Sequence, residues 1–226
     1  MRILIIEDEA GLTKVLTHNL QREGYDVLSA KDGRDGLQQA LLHLPNLIIL
    51  DLMLPELRGE DVLQQLRADE RSKAIPVIIL SAKSEEVDQV EAFSLGCDDY
   101  VVKPPSVKVL LQRIKAIQRR LEGESQVGEV IQQLGVRLDR GRHRAYLNDE
   151  ELDVTPTEFR LLECLLRQPG RAFSRQQLMD AAMGQDTIVL ERTIDVHVKT
   201  LRKKLEPMSD LIETVRGVGY RFREEE

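Results

Sequence analysis

The first half of the chain alternates short apolar runs with longer stretches in which apolar residues recur at helical spacing. In the first of these stretches, Leu12, Val15, Leu16 and Leu20 would share one helix face. Because parallel strands need crossover connections, this alternation predicts a parallel sheet with helices on both faces. Five runs have the length and composition of strands: Arg2–Ile6, Tyr25–Ala30, Asn46–Leu50, Pro76–Leu80 and Tyr100–Val102.

The pattern changes after residue 121. A polar stretch with two glycines, residues 122–129, predicts a linker between domains at 1–121 and 130–226. Beyond it, Thr155, Pro156 and Glu158 have the spacing of a helix start. Further helical patterns cover residues 174–183 and 191–206, and the chain closes with two short strands around a glycine-rich turn. These features predict a second, smaller α+β domain.

Composition narrows the class of protein. The chain has 226 residues and 42 % hydrophobic residues, enough for two packed cores. No run approaches the length of a membrane span, no N-terminal signal pattern is visible, and Cys97 and Cys164 lack metal-ligand spacing. We therefore expect a cytoplasmic protein with two buried thiols. The net charge is −7, but residues 192–223 hold eight basic against four acidic side chains, which favours an anionic partner for that stretch.

Polar residues with compatible chemistry follow four of the predicted strands. Glu7 and Asp8 follow the first, Asp51 the third, Ser81 the fourth and Lys103 the fifth. Taken singly, each is more often a solvated strand end. In a flavodoxin-like sheet of order 2-1-3-4-5, however, all five converge at one rim. Three carboxylates together need a cation, and Mg²⁺ is the natural occupant. With a lysine and a hydroxyl beside it, the cluster predicts phosphoryl transfer to an aspartate.

Four segments carry a family resemblance: "IIEDEA", "IILDLMLP", "ILSAK" and "DDYVVKP". With these motifs in this order, residues 1–121 resemble the receiver domain of two-component systems. The resemblance implies that a sensor histidine kinase phosphorylates Asp51. It also implies that Mg²⁺ is held by Glu7, Asp8 and Asp51, with the backbone carbonyl of Met53 as a further ligand.

The same resemblance assigns a phosphorylation switch. Ser81 and Lys103 would bind the phosphoryl group, and Tyr100 matches the aromatic residue that turns inward as the Ser81 hydroxyl moves toward phosphate. The chain departs from the family at Pro105, where phenylalanine is usual after Lys-Pro.

Residues 191–206, taken as a helix, have two contrasting faces. Ile194, Val198, Leu201 and Leu205 form one apolar stripe. A basic helix face with a small apolar residue suits the DNA major groove, although an ordinary amphipathic surface helix has the same pattern. The opposite face holds Arg192, Val196, Lys199, Thr200 and Lys203.

The closing segment, "LIETVRGVGYRFR", is typical of a basic hairpin, and residues 130–226 resemble the winged-helix effector domain of OmpR/PhoB-type regulators. The resemblance implies that Val196 and Thr200 contact base edges and that Arg216 lies at the wing tip near the minor groove. Thr200 replaces a common basic residue. The residues implied to contact phosphates are Arg192, His197, Lys199 and Arg202.

Members of this subfamily dimerise through helix 4, strand 5 and helix 5, where charges interlock. Gln89 and Val109 replace the usual basic and acidic residues here, so Val109 would contribute apolar contact. The charged residues that fit the pattern are Asp98, Asp99, Arg113 and Arg120.

The resulting hypothesis is a transcription regulator that dimerises when Asp51 is phosphorylated and binds tandem promoter half-sites, with RNA polymerase as a further partner. The alternative is a DNA-binding regulator whose receiver dimerises independently of phosphorylation. A haloacid-dehalogenase-like phosphatase needs a second aspartate where Met53 stands, so we expect no turnover enzyme.

Overall fold

The computed structural model describes residues 1–123, 130–184 and 192–225, except for the side chains of 120–123. The described chain forms two compact units, Met1–Gln118 and Arg119–Glu226. Most of the predicted linker at 122–129 lies outside the described residues.

The first unit is built on a five-stranded sheet of order β2-β1-β3-β4-β5. All four neighbouring pairs are parallel, which confirms the predicted doubly wound topology. β1, β3 and β4 are buried on both faces because helices cover both, and this explains why their sequences are continuously apolar. The strands are β1 (Arg2–Ile6), β2 (Asp26–Ala30), β3 (Leu47–Asp51), β4 (Val77–Ser81) and β5 (Asp99–Val102).

Five helices connect and follow these strands. In the first, Leu16 and Leu20 are buried as predicted, whereas Val15 is exposed. Cys97 is buried, and this burial raises the pKa of its thiol, while Cys164 in the second unit is only partly buried. The helices are α1 (Ala10–Arg22), α2 (Gly33–His43), α3 (Gly59–Ala68), α4 (Glu86–Ser94) and α5 (Val107–Gly123).

The second unit contains a four-stranded antiparallel sheet of order β6-β7-β8-β9. Its strands are β6 (Val130–Gln133), β7 (Val136–Asp139), β8 (Arg144–Leu147) and β9 (Glu150–Leu152). The described residues that follow form α6 (Pro156–Leu166), α7 (Arg175–Met183) and α8 (Arg192–Lys204). A small antiparallel sheet, order β10-β12-β11, contains β10 (Phe173–Ser174), β11 (Ile212–Val215) and β12 (Gly219–Phe222). This architecture agrees with the predicted winged-helix domain.

Capping interactions fix the starts of two of these helices. At α6, the Thr155 hydroxyl accepts a hydrogen bond from the Glu158 N–H, and the Glu158 carboxylate accepts one from the Thr155 N–H. This reciprocal pair is a capping box, and it confirms the predicted helix start. The same buried carboxylate accepts a bond from Lys204 Nζ at 2.7 Å, which ties the end of α8 to the start of α6. At α7, Ser174 and Gln177 form a second capping box. Among the described helices, none is both long and apolar enough to cross a membrane.

Candidate functional site

An acidic pocket lies at the carboxyl ends of the parallel strands in the first unit. Glu7 and Asp8 follow β1, and Asp51 is the last residue of β3. One ligand atom from each of the three lies within 4.8 Å of the others. Glu7 is 2 % exposed and Asp51 is 3 % exposed, whereas Asp8 is open to solvent. The structure therefore brings together the three carboxylates that the strand ends predicted.

Lys103 bridges two of these carboxylates. Its Nζ lies 2.7 Å from Asp51 Oδ2 and 2.7 Å from Glu7 Oε2. The second oxygen of Asp51, Oδ1, accepts a hydrogen bond from the backbone N–H of Met53 at 3.0 Å. Both oxygens of the Asp51 carboxylate thus have a fixed donor, which holds its orientation.

The electrostatics of the pocket reflect this crowding. Burial raises the pKa of the Glu7 carboxyl, the bond from Lys103 opposes the rise, and the charge of Asp51 adds to it. Burial alone would lower the pKa of Lys103, but its bonds to Asp51 and Glu7 outweigh this and leave that pKa raised. The lysine therefore stays positively charged within the pocket.

The donor set fits a hard divalent cation. Three carboxylates within 4.8 Å of one another supply the oxygen ligands that Mg²⁺ prefers, and the exposed Asp8 leaves the pocket open to water and ions. Lys103 neutralises only one of the three negative charges. The pocket thus keeps the excess negative charge that a cation would balance.

A glycine that sequence reasoning missed shapes the loop behind Asp51. A Cβ on Gly59 would lie 2.1 Å from the backbone oxygen of Asp51 and 2.6 Å from Leu52 Cα. The Gly59 N–H also donates to the Leu52 carbonyl at 3.0 Å, which closes the loop onto the end of β3. Only glycine allows this approach, and its position between a predicted strand end and a predicted helix was the available signal.

The predicted switch residues meet at one loop residue, Lys83. Ser81 is buried at the end of β4, and its Oγ accepts a hydrogen bond from the Lys83 N–H at 3.2 Å. Tyr100 is buried on β5, and its hydroxyl donates to the Lys83 carbonyl at 2.9 Å. The ring of Tyr100 is therefore turned inward.

The charged residues predicted for a dimer face are largely internal. Asp98 is 1 % exposed, bonds Arg67 at 3.0 Å and accepts the Val77 N–H at 2.9 Å, so in this structure its carboxylate is bound within the chain and is not presented at the surface. Asp99 and Arg113 form a buried ion pair with each other, which links β5 to α5 within one chain. Burying these carboxylates requires such partners, and partners inside the chain satisfy them. Val109 is partly exposed, and the side chain of Arg120 lies outside the described residues.

In the second unit, α8 has the two faces that its sequence predicted. Ile194, Val198, Leu201 and Leu205 form a fully buried stripe. On the other side of the helix, the basic residues Arg192, Lys199 and Lys203 are exposed, and Val196 and Thr200 are partly exposed.

Three residues predicted to contact DNA from α8 are placed differently. His197 is 1 % exposed, so in this structure its side chain is not presented to a phosphate. Arg202 donates to the Ile212 carbonyl at 2.7 Å and to Thr214 Oγ1 at 2.8 Å, which ties the helix to β11. The Thr200 hydroxyl donates to the Val196 carbonyl at 3.1 Å, so its methyl group is the part left for a base contact.

The arginines in and beside the hairpin of β11 and β12 also differ in whether they have partners within the chain. Arg221 pairs with Glu213 at 2.6 Å, and Arg223 pairs with Asp210 at 2.7 Å. Arg216, in the turn, is exposed and has no acidic partner within the described part of the chain. The structure therefore keeps Arg216 as the wing-tip candidate.

Fold and pocket together define a regulator in which a doubly wound receiver domain precedes a DNA-binding output domain. Comparison with known protein families supports this assignment. Residues 3–115 match the response regulator receiver domain, and residues 149–222 match the C-terminal domain of transcriptional regulatory proteins. The chain belongs to the two-component response regulators of the OmpR/PhoB type, and it acts as a transcription regulator.

Relatives match over nearly the whole of this chain. The chain is 42 % identical over 221 residues to the phosphate regulon transcriptional regulatory protein PhoB of Rhizobium meliloti, covering 97 % of each chain. It is 38 % identical to the response regulator ArlR of Staphylococcus aureus, covering 98 % of this chain and 99 % of that one. Among solved structures, a point mutant of RitR has a TM-score of 0.82 at 28 % identity and covers 99 % of both chains.

Proposed function

We propose that a sensor histidine kinase phosphorylates this regulator on Asp51 and that the aspartyl phosphate controls binding to promoter DNA. The observation that carries the proposal is the buried Asp51 carboxylate, bonded to Lys103 at 2.7 Å beside Glu7 and Asp8. A structural strand-end aspartate needs neither two further carboxylates nor a shared lysine. An aspartate that receives a doubly charged phosphoryl group needs both a cation site and a fixed positive charge.

Phosphorylation requires Asp51 to act as a nucleophile. One carboxylate oxygen attacks the phosphorus of a phosphohistidine, a P–O bond forms, and the P–N bond breaks with its electron pair leaving on the imidazole nitrogen. Glu7, Asp8, Asp51 and the Met53 carbonyl would hold Mg²⁺, which supplies positive charge to the phosphoryl oxygens when bound. Lys103 is positioned to transfer its bond from the carboxylate to the incoming phosphoryl group.

The switch would then run from the pocket toward β5. The buried Ser81 hydroxyl accepts a bond from the Lys83 N–H and lies in hydrogen-bonding reach of Tyr100, and its own proton would be donated to a phosphoryl oxygen. The inward Tyr100 shares Lys83 with it. A change at Ser81 would therefore reach the surface of α4, β5 and α5, where receivers of this subfamily dimerise.

DNA binding would use α8 and the turn of the hairpin. Lys199 and Arg192 would contact phosphates, Val196 and the Thr200 methyl would contact base edges, and Arg216 would approach the minor groove. Two such domains in a dimer would occupy tandem half-sites. This role places the regulator in the cytoplasm with promoter DNA, the kinase and RNA polymerase as partners.

A second candidate, dimerisation independent of phosphorylation, is favoured by two exposed apolar side chains. Val87 on α4 is 72 % exposed and Val102 on β5 is 39 % exposed. Together with Val109, they would give the predicted face an apolar character that does not depend on phosphate. Sedimentation of the unphosphorylated protein distinguishes the two candidate functions, because only phosphate-independent dimerisation predicts a dimer without phosphate.

The deciding experiment on Asp51 uses Asp51→Asn and a matched control, Asp61→Asn. Asp61 is an exposed acid in the first turn of α3 and lies outside the pocket set. With acetyl phosphate and Mg²⁺, wild type and Asp61→Asn should form an acid-stable, hydroxylamine-sensitive adduct, and Asp51→Asn should not. An undiminished adduct in Asp51→Asn would place the phosphoacceptor elsewhere.

A further inference from the structure

The loop after β4 is held by the side chain of Lys83 as well as by its backbone. Lys83 Nζ lies 3.5 Å from Glu60 Oε1 and 3.7 Å from Asp88 Oδ1. Glu60 belongs to the first turn of α3 and Asp88 to the first turn of α4. One lysine thus lies between acids from two helices, and its own backbone contacts both predicted switch residues, Ser81 and Tyr100.

These ion pairs are long but partly buried, and Glu60 Oε1 also contacts Arg58 Nη2 at 3.2 Å. The side chains of Glu60 and Asp88 are 18 % and 26 % exposed, and that of Lys83 is 34 % exposed. Solvent screens partly buried charges less than exposed ones. Both acids also lie at helix N-termini, where the helix dipole favours a negative charge. The charge of Lys83 thus lies between acids of α3 and α4.

Several described contacts of helix α4 can be located along its length. Its buried residues are Ala92 and Phe93, both in the C-terminal half. The residue before the helix, Glu85, makes no side-chain cap. The bond from the Gln89 amide to the Ser84 carbonyl is long, at 3.4 Å. The Lys83–Asp88 pair is one described contact between the loop and the first turn of α4.

We propose that Lys83 is a positioning residue of the switch: its ion pairs with Glu60 and Asp88 fix the loop so that its carbonyl holds Tyr100 inward. This inference rests on the proposed function, because it takes Tyr100 and Ser81 as the switch. It adds a residue whose charge sets the balance between the inward and outward positions of the ring. Two partly buried pairs of ordinary strength correspond to a roughly three- to thirtyfold change in that balance.

The test observes Tyr100 directly in the full-length, unphosphorylated protein. The four tyrosines are replaced by 3-fluorotyrosine, and the Tyr100 fluorine resonance is assigned by its loss in Tyr100→Phe. Lys83→Met removes the charge and keeps the length, and Lys83→Arg keeps the charge. Lys115→Met is the matched control, because Lys115 has its own ion pair, with Glu23 at 2.6 Å, on another part of the receiver.

We expect Lys83→Met to move the Tyr100 resonance toward its solvent-exposed position, while Lys83→Arg and Lys115→Met leave it unchanged. The double variant Glu60→Gln/Asp88→Asn should reproduce Lys83→Met, and it decides the matter if Lys83→Met fails to fold. The proposal would be overturned if the Tyr100 resonance did not move in either Lys83→Met or the double variant. It would also be overturned if Lys115→Met shifted that resonance as much as Lys83→Met does. Phosphate takes no part in this measurement, so its outcome is distinct from a failure of Asp51 as the phosphoacceptor.

Discussion

Replacing Lys103 tests how the pocket balances its charges. The lysine contacts Asp51 and Glu7, the same carboxylates that we propose as Mg²⁺ ligands. Lysine and metal ion therefore compete for negative charge before any phosphoryl group arrives. We expect Lys103→Met to bind Mg²⁺ more tightly than wild type, even though a residue of the functional pocket has been removed.

The size of the effect follows from geometry. The ammonium lies 2.7 Å from oxygens of both carboxylates, and Mg²⁺ bound to the same oxygens at about 2.1 Å would lie about 5 Å or less from it. A divalent ion and a unit charge at about 5 Å repel by about 1.7 kcal/mol in a medium as polar as water, and by more in a less polar one. Since about 1.4 kcal/mol is a tenfold change in affinity, Lys103→Met should bind Mg²⁺ about tenfold to a hundredfold more tightly.

Isothermal titration calorimetry with Mg²⁺ at about pH 8, where carboxylates of ordinary pKa are ionised, measures this affinity directly. Lys103→Arg, which keeps the charge, should stay near wild type, and so should Lys108→Met, which removes an exposed lysine from α5. Adding Mg²⁺ should raise the unfolding temperature of both proteins. The rise should be larger for Lys103→Met than for wild type, because the variant binds Mg²⁺ more tightly. Weaker or unchanged Mg²⁺ binding in a folded Lys103→Met would refute the shared-carboxylate reasoning.

Three further changes test other parts of the structure. Asp8→Ala should weaken Mg²⁺ binding and acetyl phosphate labelling together, since a carboxylate ligand is lost; unchanged metal affinity would move the cation elsewhere. Lys199→Ala should flatten the dependence of DNA affinity on salt by about one counterion unit, whereas Val196→Ala should alter base preference and leave that slope intact. Identical effects of these two variants would contradict the division of roles on α8. Glu158→Gln should lower the free energy of unfolding by about 1–2 kcal/mol in urea titrations, because the buried charge-assisted bond to Lys204 is weakened. An unchanged unfolding midpoint would show that this bond does not stabilise the fold.

The pocket could be predicted from the sequence because each of its residues is fixed by local rules. Apolar runs locate the strands, and parallel strands in this order bring their carboxyl ends to one edge. Asp51 and Lys103 are 52 positions apart in the sequence, yet each directly follows or ends a strand, so their meeting is a consequence of sheet topology. The same reasoning gave the buried stripe of α8 from its spacing alone.

Pairing between charged residues of different elements could not be predicted in this way. The sequence shows that Asp98 is a charged residue near β5. It does not show that Arg67, 31 residues earlier on α3, bonds to it. Arg202 likewise has the spacing of a DNA contact, and only the fold shows that Ile212 and Thr214 take its hydrogen bonds. Such partners depend on side-chain reach across packed elements, which neither periodicity nor composition records.

Pairing also explains how a chain of net charge −7 can bind DNA. Salt-dependent affinity depends on the cations that displace counterions from phosphates, and not on the net charge of the protein. Of the eight basic residues at 192–223, Arg221 pairs with Glu213, Arg223 pairs with Asp210, and Arg202 is bound to backbone and hydroxyl acceptors. Lys199 and Arg216, by contrast, are exposed and have no acidic partner in the described residues. The salt dependence of DNA binding should therefore correspond to fewer phosphate contacts for each domain than the eight basic residues would suggest.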